Sequence, residues 1–414
     1  MRKMKHSGLP WIQEIPDSWS LTKIKYIAEV VPGATPKSSV PEYWDGEIPF
    51  ITPADYVTED HYISYGSRSI TTDGMNSCST SLLPIGSIIV STRAPIGPVV
   101  INSIPICTNQ GCKGLVQRSK FFNFEYLYRL LSIAEDALIA LGNGTTYQEL
   151  SGRSLANFKI PKPSLQEQNA IVSYIVARCA PIDEAISRHR QAIDKLEEYR
   201  RAIISCVIGG QAEEVDSSGW TWKRFKFIAR VDSNLVEPNK YANWLHIAPD
   251  AIGKGNGKLL QKHTVSEDGV VSSNHLFRKG AILYSKVRPR LNKVVVAPDD
   301  GLCSADMYPI STTQNVEWLK FYMLSDQFVE QAGLVSDIRI KMPKINKQEL
   351  GDIKILVPPP NVQLEIVSRL NAQCYAIDEA IGRQNQIIDK LVEYRRSLIH
   401  VAVTGQIDCT KEPL

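Results

Sequence analysis

The sequence predicts a mixed α/β (α+β) protein in which two globular domains are each followed by a long helix. The two helices are expected to pair antiparallel as a coiled coil, so that the chain has pseudo-twofold symmetry. Three observations lead to this fold class. A segment near the middle of the chain returns near its end, both copies carry apolar residues at heptad spacing, and short β-type runs bounded by Gly and Pro precede each copy.

The repeat has a constant offset of 195 residues, so that Glu198–Arg201 returns as Glu393–Arg396. A period near half the chain length indicates a duplicated two-part protein, because solenoid repeats are only about 20–50 residues long. The first copy ends near Gly210, and Ser164 followed by Glu167 has the pattern of a capping box. A helix of about 40 residues is therefore expected in each copy, on the order of 60 Å long.

Apolar residues at alternating steps of four and three predict one narrow seam along each helix. The central seam positions are Ile182, Ile186, His189, Ile193 and Leu196 in the first helix and Ile377, Ile381, Gln384, Ile388 and Leu391 in the second. Antiparallel pairing would bring the polar positions His189 and Gln384 close together, where a buried polar residue fixes the register. The alternative is two ordinary amphipathic helices, each packed on a neighbouring domain.

The first globular domain is expected over residues 1–161, with a helical spacer over residues 162–211. Strands are predicted at Ile48–Ile51 and Ser87–Thr92. Helical spacing predicts one helix over Asn123–Leu141, which ends at the glycines that follow.

The second globular domain is expected over residues 212–357, with the second helical spacer and a tail over residues 358–414. Gly280–Ser285 repeats the pattern of Gly86–Ser91. Framework positions of this kind repeat between the domains, whereas the stretches between them do not. A common fold with two different surface specificities would have this pattern, as would two simply diverged domains.

Composition limits the function classes. The 414 residues carry 47 basic and 44 acidic side chains, and the two globular stretches are nearly balanced, at 14 basic and 14 acidic over residues 1–160 and 20 and 17 over residues 212–357. A nucleic-acid surface must therefore be a local patch. No stretch is apolar enough to span a bilayer, and no Cys-x-x-Cys pair occurs, which predicts a reduced cytoplasmic protein without a membrane contact or a metal site.

The sequence shows no convincing catalytic constellation. Gly253–Lys258 lacks the spacing of a P-loop, and the seven histidines lack metal-ligand spacing. Asp299 with Asp352 and Lys354 matches the letters of a metal-nuclease core, which leaves a cryptic nuclease as a minor alternative.

Binding chemistry remains. Arg and Lys suit guanine edges, Asn and Gln suit adenine, and Ser, Thr and Tyr commonly contact phosphate. In the first domain the candidate DNA-binding residues are Arg93, Asn109, Gln110, Lys113, Thr145, Thr146 and Tyr147. In the second domain they are Lys286, Arg288, Arg290, Lys293, Arg339, Lys341 and Lys344. For each residue, a solvated surface side chain is the alternative.

The whole-chain plan resembles the specificity subunit of type I restriction–modification systems. Trp11–Trp19 resembles the family's opening segment, and Gly144–Thr146 leading to Ile160–Pro163 looks like the end of a target-recognition domain. Tyr394–Asp408 looks like the family's characteristic helix ending. The second helix departs from the pattern in its first turn, at Val362-Gln363.

This resemblance implies a non-catalytic, cytoplasmic bacterial or archaeal subunit with no cofactor of its own. Each globular domain would be a target-recognition domain that reads one half of a bipartite double-stranded DNA site, and the helices would be spacer and docking surface. Two methyltransferase subunits that use S-adenosylmethionine, and a restriction subunit with motor and nuclease activity, would be its partners. The alternative from another class is a coiled-coil interaction adaptor without DNA readout.

Overall fold

A computed structural model describes residues 2–56, 61–142, 148–212, 217–337 and 342–411. The chain divides into two compact units. Unit 1 consists of Met1–Ser187 with Ile388–Leu414, and unit 2 is Arg188–Ile387. Each unit therefore holds one globular part and one portion of each long helix. Five predicted DNA-binding residues lie outside the described residues: Thr145, Thr146, Tyr147, Arg339 and Lys341.

Unit 1 contains twelve strands among its described residues. They are β1 (Met4–Leu9), β2 (Ile12–Pro16), β3 (Ser20–Lys23), β4 (Ala28–Pro32), β5 (Trp44–Ile51), β6 (Tyr62–Ile63), β7 (Arg68–Ile70), β8 (Ile88–Thr92), β9 (Ile96–Asn102), β10 (Cys107–Thr108), β11 (Cys112–Gln117) and β12 (Lys159–Lys162). Its shorter helices are α1 (Thr72–Asn76), α2 (Phe124–Ser132), α3 (Glu135–Ala140) and α4 (Gly152–Asn157). The central sheet has the order β4-β11-β8-β9-β6, and a second sheet has the order β10-β5-β7.

Unit 2 repeats part of this topology. Its strands are β13 (Thr221–Arg224), β14 (Ala229–Val231), β15 (Leu235–Val236), β16 (Leu245–Ile247), β17 (His263–Thr264), β18 (Asn274–Phe277), β19 (Ile282–Ser285), β20 (Val294–Val296), β21 (Gly301–Cys303), β22 (Met307–Thr312) and β23 (Lys354–Val357). Its shorter helices are α6 (Val316–Leu324), α7 (Asp326–Ser336) and α8 (Lys347–Asp352). The sheet β14-β22-β19-β20 has the same antiparallel order as β4-β11-β8-β9 of unit 1. The mixed α/β class predicted from sequence is confirmed.

The two long helices are α5 (Leu165–Ile208) and α9 (Pro360–Val403), each of 44 residues. At 1.5 Å per residue each is about 66 Å long. In unit 1 the Asp183 carboxylate lies 2.7 Å from the Arg395 guanidinium. In unit 2 His189 contacts Gln384, and Arg200 is paired with Asp378. Residue numbers rise along one helix as they fall along the other, so the helix portions in unit 2 run antiparallel.

All ten predicted central seam positions are buried or half-buried, and the surrounding helix positions are mostly exposed. Ile182, Ile186, Ile377 and Ile388 are buried, with at most 9% of each side chain exposed. The contact between His189 and Gln384 places the two polar seam positions side by side. The seam that heptad spacing predicts is thus the buried stripe of both helices.

Each long helix begins with the same glutamine contact. The Gln168 side-chain amide donates to the Pro163 carbonyl, and its oxygen accepts from the Asn123 backbone N–H. In unit 2, Gln363 makes the equivalent bond to the Pro358 carbonyl. Its oxygen likewise accepts from a backbone N–H, that of the residue capping α6. The departure at the start of the second helix therefore leaves this contact intact.

Two local predictions need correction. The segment Asn123–Leu141, predicted as one helix, forms the two helices α2 and α3, because the helical conformation is interrupted at Ile133 and Ala134. The capping box at the start of α5 is only half present. The Ser164 hydroxyl accepts from the Glu167 N–H at 3.3 Å, but the Glu167 carboxylate is paired with Arg2. Among the described helices, none combines the length and apolar content that crossing a membrane would need.

Candidate nucleic-acid interface

The central strand of unit 1's sheet, β8, ends on a backbone scaffold that holds several candidate side chains. The Thr92 N–H donates to the Gly111 carbonyl at 2.8 Å. The Thr92 carbonyl in turn accepts from the Leu150 N–H at 3.0 Å. Arg93 and Glu149, which follow and precede these residues, form an isolated antiparallel bridge. We call Arg93, Lys113 and Glu149 the β8-end site.

Unit 2 has the same scaffold at the end of β19. The Lys286 N–H donates to the Asp306 carbonyl at 3.0 Å, and the Lys286 carbonyl accepts from the Ile345 N–H at 3.0 Å. Val287 and Lys344 form the isolated bridge. We call Lys286, Arg288, Asp306 and Lys344 the β19-end site. The backbone contacts of the two sites match one for one, at offsets of 194 or 195 residues.

The β8-end site contains two cations that share one carboxylate. The Arg93 guanidinium lies 2.7 Å and the Lys113 ammonium 3.6 Å from Glu149. The hydrogen bond from Arg93, together with the charges of Arg93 and Lys113, lowers the pKa of Glu149, although burial acts in the opposite direction. The Lys113 side chain is only 10% exposed, whereas that of Arg93 is 47% exposed. Arg93 and Glu149 line a cavity of about 690 Å³ together with residues of α3.

The β19-end site carries charge at different positions. The Lys286 ammonium donates to the Ala305 carbonyl at 2.6 Å and lies 5.3 Å from the Tyr308 ring centre. Burial lowers the pKa of Lys286, and the charge of Lys344 adds to this effect while Asp306 opposes it. Lys344 pairs with Asp306 at 3.1 Å. Several cations are thus concentrated around one carboxylate.

The loop after β19 holds its basic residues differently. The Arg290 guanidinium is paired with Asp337, with Nε at 2.7 Å, and Lys293 donates to the Pro249 carbonyl. Arg288 is exposed, and no side-chain hydrogen bond or ion pair holds it among the described residues. It has left-handed backbone angles, with φ of 48°, although it is not glycine and precedes a proline. Strained backbone of this kind tends to occur at functional sites.

The remaining candidates in unit 1 stabilise a turn. The Asn109 side-chain oxygen accepts from the Gly111 N–H at 2.9 Å, and the Gln110 side-chain oxygen accepts from Thr35. The Gly111 carbonyl accepts from the Thr92 N–H at the end of β8, so the hydrogen bond between Gly111 and Asn109 helps to hold the backbone of the β8-end site in place. Gln110 is exposed beside it.

Sequence reasoning missed the acidic members of both sites. The expected DNA-binding side chains are basic, amide or hydroxyl groups, and Glu149 and Asp306 lie 36 or more residues along the chain from the cations with which they pair. Only the pairing of β-strands and bridges brings them together. The alignment of Glu149 with Lys344 in the two repeats was the one available signal, since the same framework position changes sign.

The metal-nuclease pattern is not assembled. Asp299 lines a cavity of about 460 Å³ with residues of β16 and β17. Asp352 is instead paired with Arg224 and Lys226, at 3.1 and 2.9 Å. In the described ranges there is no group of three or more His, Cys, Asp or Glu side chains that could hold a metal ion.

Comparison with known proteins gives consistent relatives. A family profile described as "Type I restriction modification DNA specificity domain" matches residues 16–197, which are the globular part of unit 1 from the end of β2 onward and much of α5. The EcoDI specificity subunit of Escherichia coli is 26% identical over 423 aligned positions, which cover 95% of this chain and 90% of that protein. The MjaIX specificity subunit of Methanocaldococcus jannaschii is 33% identical over 242 positions, which cover 55% of this chain and 56% of that protein.

A solved structure supports the fold. A chain from a study of complex assembly and conformational transition of the type I R-M system superimposes with a TM-score of 0.63. The match covers 95% of this chain and 99% of that chain, at 16% sequence identity. At this identity the likeness concerns the fold alone.

Proposed function

We propose that this chain is a specificity subunit of the type I restriction–modification family, which its relatives support, and that it reads a bipartite DNA target, one half with each unit. In this proposal it is non-catalytic and contributes sequence recognition to a larger enzyme. The β8-end site and the β19-end site are its two reading sites.

The observation that carries the proposal is that the two units share the same backbone contacts at these strand ends but have different side chains there. Equivalent backbone positions carry Arg93 in unit 1 and Val287 in unit 2, and likewise Glu149 and Lys344. The backbone contacts are equivalent in the two units, whereas the side chains at the strand ends differ in charge at each of these positions. Reading two unrelated half-sites requires this combination, because base edges are distinguished by the donors and acceptors that face them.

Arg288 is the side chain best placed to contact DNA in unit 2. It is exposed, and its guanidinium is not engaged by a described carboxylate, so no internal bond has to break before it binds. Arg290, two residues later, is already paired with Asp337. Within one short loop the chain therefore offers a variant and a matched control.

The partners in this proposal are two methyltransferase subunits, which use S-adenosylmethionine to methylate adenine, and a restriction subunit with motor and nuclease activity. The relative from Escherichia coli named above is a specificity subunit of a type I restriction enzyme.

The test is a map of methylated adenines in host DNA with the wild-type chain, with Arg288→Ala and with Arg290→Ala. The wild type should direct methylation to one bipartite sequence. Arg288→Ala should weaken binding of the assembled complex by about 1–3 kcal/mol, roughly 5- to 150-fold. A base contact would relax one position of one half-site, whereas a phosphate contact would lower occupancy at all sites alike.

Arg290→Ala should leave the pattern close to that of the wild type. A methylation pattern that is the same with and without this chain would overturn the proposed function. An Arg288→Ala variant that changed both half-sites would overturn the assignment of one half-site to each unit. DNA affinity should also fall steeply with salt, since phosphate contacts release counterions.

A further inference from the structure

The Arg93 and Glu149 side chains of the β8-end site place a hydrogen-bond donor beside an acceptor. The Arg93 Nη2 donates to the Glu149 Oε2 at 2.7 Å. The two residues face each other across an isolated antiparallel bridge, so the backbone holds their side chains together. The exposed fractions of the two side chains are 47% and 36%, so both can be reached by a ligand.

The bond between Arg93 and Glu149 leaves both groups able to bind more. A guanidinium has five N–H donors, and an ionised carboxylate accepts about four hydrogen bonds. In the part of the chain that the structure describes, Arg93 uses one donor, on Glu149, and Glu149 pairs with Arg93 and Lys113. The lowered pKa of Glu149 keeps its carboxylate ionised at neutral pH, so it can only accept. The pair therefore offers further donors and acceptors while its own bond stays intact.

A base edge suits this pair better than a phosphate does. Arg93 and Glu149 line one cavity with Glu135, and Arg93 is the only cation among the described residues that line it. A phosphate in this cavity would approach two carboxylates of its own charge. Base edges are uncharged and present donors as well as acceptors, and a carboxylate accepts well from the cytosine amino group.

The spacing of the two protein atoms matches that of one base pair. In a G·C pair the guanine O6 accepts from the cytosine N4, so these atoms lie one hydrogen-bond length apart, about 2.9 Å. Both atoms also face the major groove, O6 as an acceptor and N4 as a donor. The Arg93 and Glu149 atoms are 2.7 Å apart, so Arg93 can donate to O6 while Glu149 accepts from N4.

An A·T pair also has a donor beside an acceptor, but it fits less well. In adenine the N7 acceptor lies next to the N6 donor, so the Glu149 carboxylate would face an acceptor as well as a donor. In guanine N7 lies next to O6, where Arg93 has further donors for it. The order of donors and acceptors therefore favours a G·C pair with guanine on the side of Arg93.

We propose that Arg93 and Glu149 are specificity-determining residues that together read one G·C base pair, Arg93 on the guanine and Glu149 on the cytosine amino group. This inference rests on the proposed function and assigns a base pair to one position of the half-site that unit 1 reads. At the equivalent bridge of unit 2, Val287 and Lys344 have no side-chain acceptor, so the assignment is confined to unit 1.

The test starts from the target sequence, which the map of methylated adenines in host DNA supplies. The assembled complex is then titrated with the target duplex and with duplexes that change one base pair at a time. Arg93→Ala and Glu149→Ala should each lose about 5- to 150-fold of discrimination at one G·C pair. Both variants should lose it at the same position, because each removes a contact to one base of the same pair.

Two further measurements separate a base contact from a phosphate contact. Arg93→Lys keeps the charge but loses the planar fork of donors, so discrimination at the same position should fall. A target with 7-deazaguanine at that position lacks the N7 acceptor and should bind the wild type more weakly. It should cause no further loss in Arg93→Ala, because the contact to N7 is already absent.

The matched control is another exposed ion pair of unit 1, at the opposite end of β11. Arg118 lies 3.1 Å from Glu29, and the two side chains are 57% and 51% exposed. Arg118→Ala and Glu29→Ala should leave discrimination unchanged at every position. Far-UV circular dichroism verifies that every variant is folded.

A target without a G·C pair in one of its half-sites would be compatible only if the other half-site has one, and a target with none in either would overturn the inference. Wild-type discrimination at every position in Arg93→Ala and Glu149→Ala would overturn it while the proposed function stands. Relaxation of two different positions, or weaker binding to all duplexes alike, would also overturn it. A methylation pattern that does not depend on this chain would overturn the proposed function and this inference together.

Discussion

The ion pair between Arg200 and Asp378 has a repeat in the other unit, Arg395 with Asp183, and the two differ mainly in burial. The Arg200 side chain is only 4% exposed, whereas that of Arg395 is 32% exposed. Removing one partner of a buried pair leaves an uncompensated charge and costs about 3–5 kcal/mol, whereas an exposed pair contributes roughly 0.2–1 kcal/mol. The same substitution should therefore have unequal effects in the two units.

We expect Asp378→Asn to destabilise unit 2 by about 3 kcal/mol, the lower end of the range for buried pairs, because the Asp378 side chain is itself 29% exposed. Asp183→Asn should cost unit 1 less than about 1 kcal/mol. Lys258, which lies 2.7 Å from Asp378 and is 45% exposed, should add little, and Lys258→Ala checks this.

Hydrogen exchange followed by mass spectrometry measures each effect locally. A loss of 3 kcal/mol makes exchange in the helix portions of unit 2 about 150-fold faster, because 1.4 kcal/mol is a factor of ten. Replacing both Arg200 and Asp378 with Met should recover most of the loss, since a buried pair is often no better than apolar packing. Equal costs of Asp378→Asn and Asp183→Asn would refute the argument from burial.

Two further predictions concern pH and backbone conformation. Arg93 lowers the pKa of Glu149 in the folded protein, so the Glu149 carboxylate stabilises the fold above its unfolded pKa, and this stability is lost as the pH falls through the folded pKa. The free energy of unfolding, measured by urea titration, should therefore differ less between pH 7 and pH 3 in Glu149→Gln than in the wild type. An equal difference in both proteins would contradict the pairing of Arg93 with Glu149. Gly405 has φ of 74°, and an added Cβ would lie 2.6 Å from Pro16 and 2.8 Å from Trp19, so Gly405→Ala should cost about 2–4 kcal/mol. Gly210→Ala, with φ of 66° and more room, should cost only about 1–2 kcal/mol in thermal unfolding, and equal costs would show that the contacts with Pro16 and Trp19 are unimportant.

The long helices were predictable because heptad spacing is a local pattern in the sequence and because the same pattern occurs in both repeats. Heptad spacing defines the seam, and the repeat assigns His189 and Gln384 to equivalent positions, which the structure places in contact. The break between α2 and α3 was not predictable, because the apolar spacing continues through Ile133 and Ala134 while the backbone does not.

The candidate sites were predictable only in part. The cations Arg93 and Lys113 stand out because they follow or lie within clear strands, but their shared partner Glu149 is 56 residues beyond Arg93. Periodicity carries no information about such a long-range pair. The same limit applies to Arg288 and Arg290, whose different surroundings depend on Asp337 and not on the loop's own sequence.

The composition of the two units has a consequence for the order in which the chain can fold during synthesis. Unit 2 is one continuous stretch, Arg188–Ile387, so all its parts are available before the chain is finished. Unit 1 needs the C-terminal segment, since the Tyr126 hydroxyl donates to the Val403 carbonyl, 277 residues away. Domains generally fold as units in the order in which they leave the ribosome. Here the N-terminal globular part emerges first, but its contacts with the end of α9 can form only after unit 2 has been synthesised.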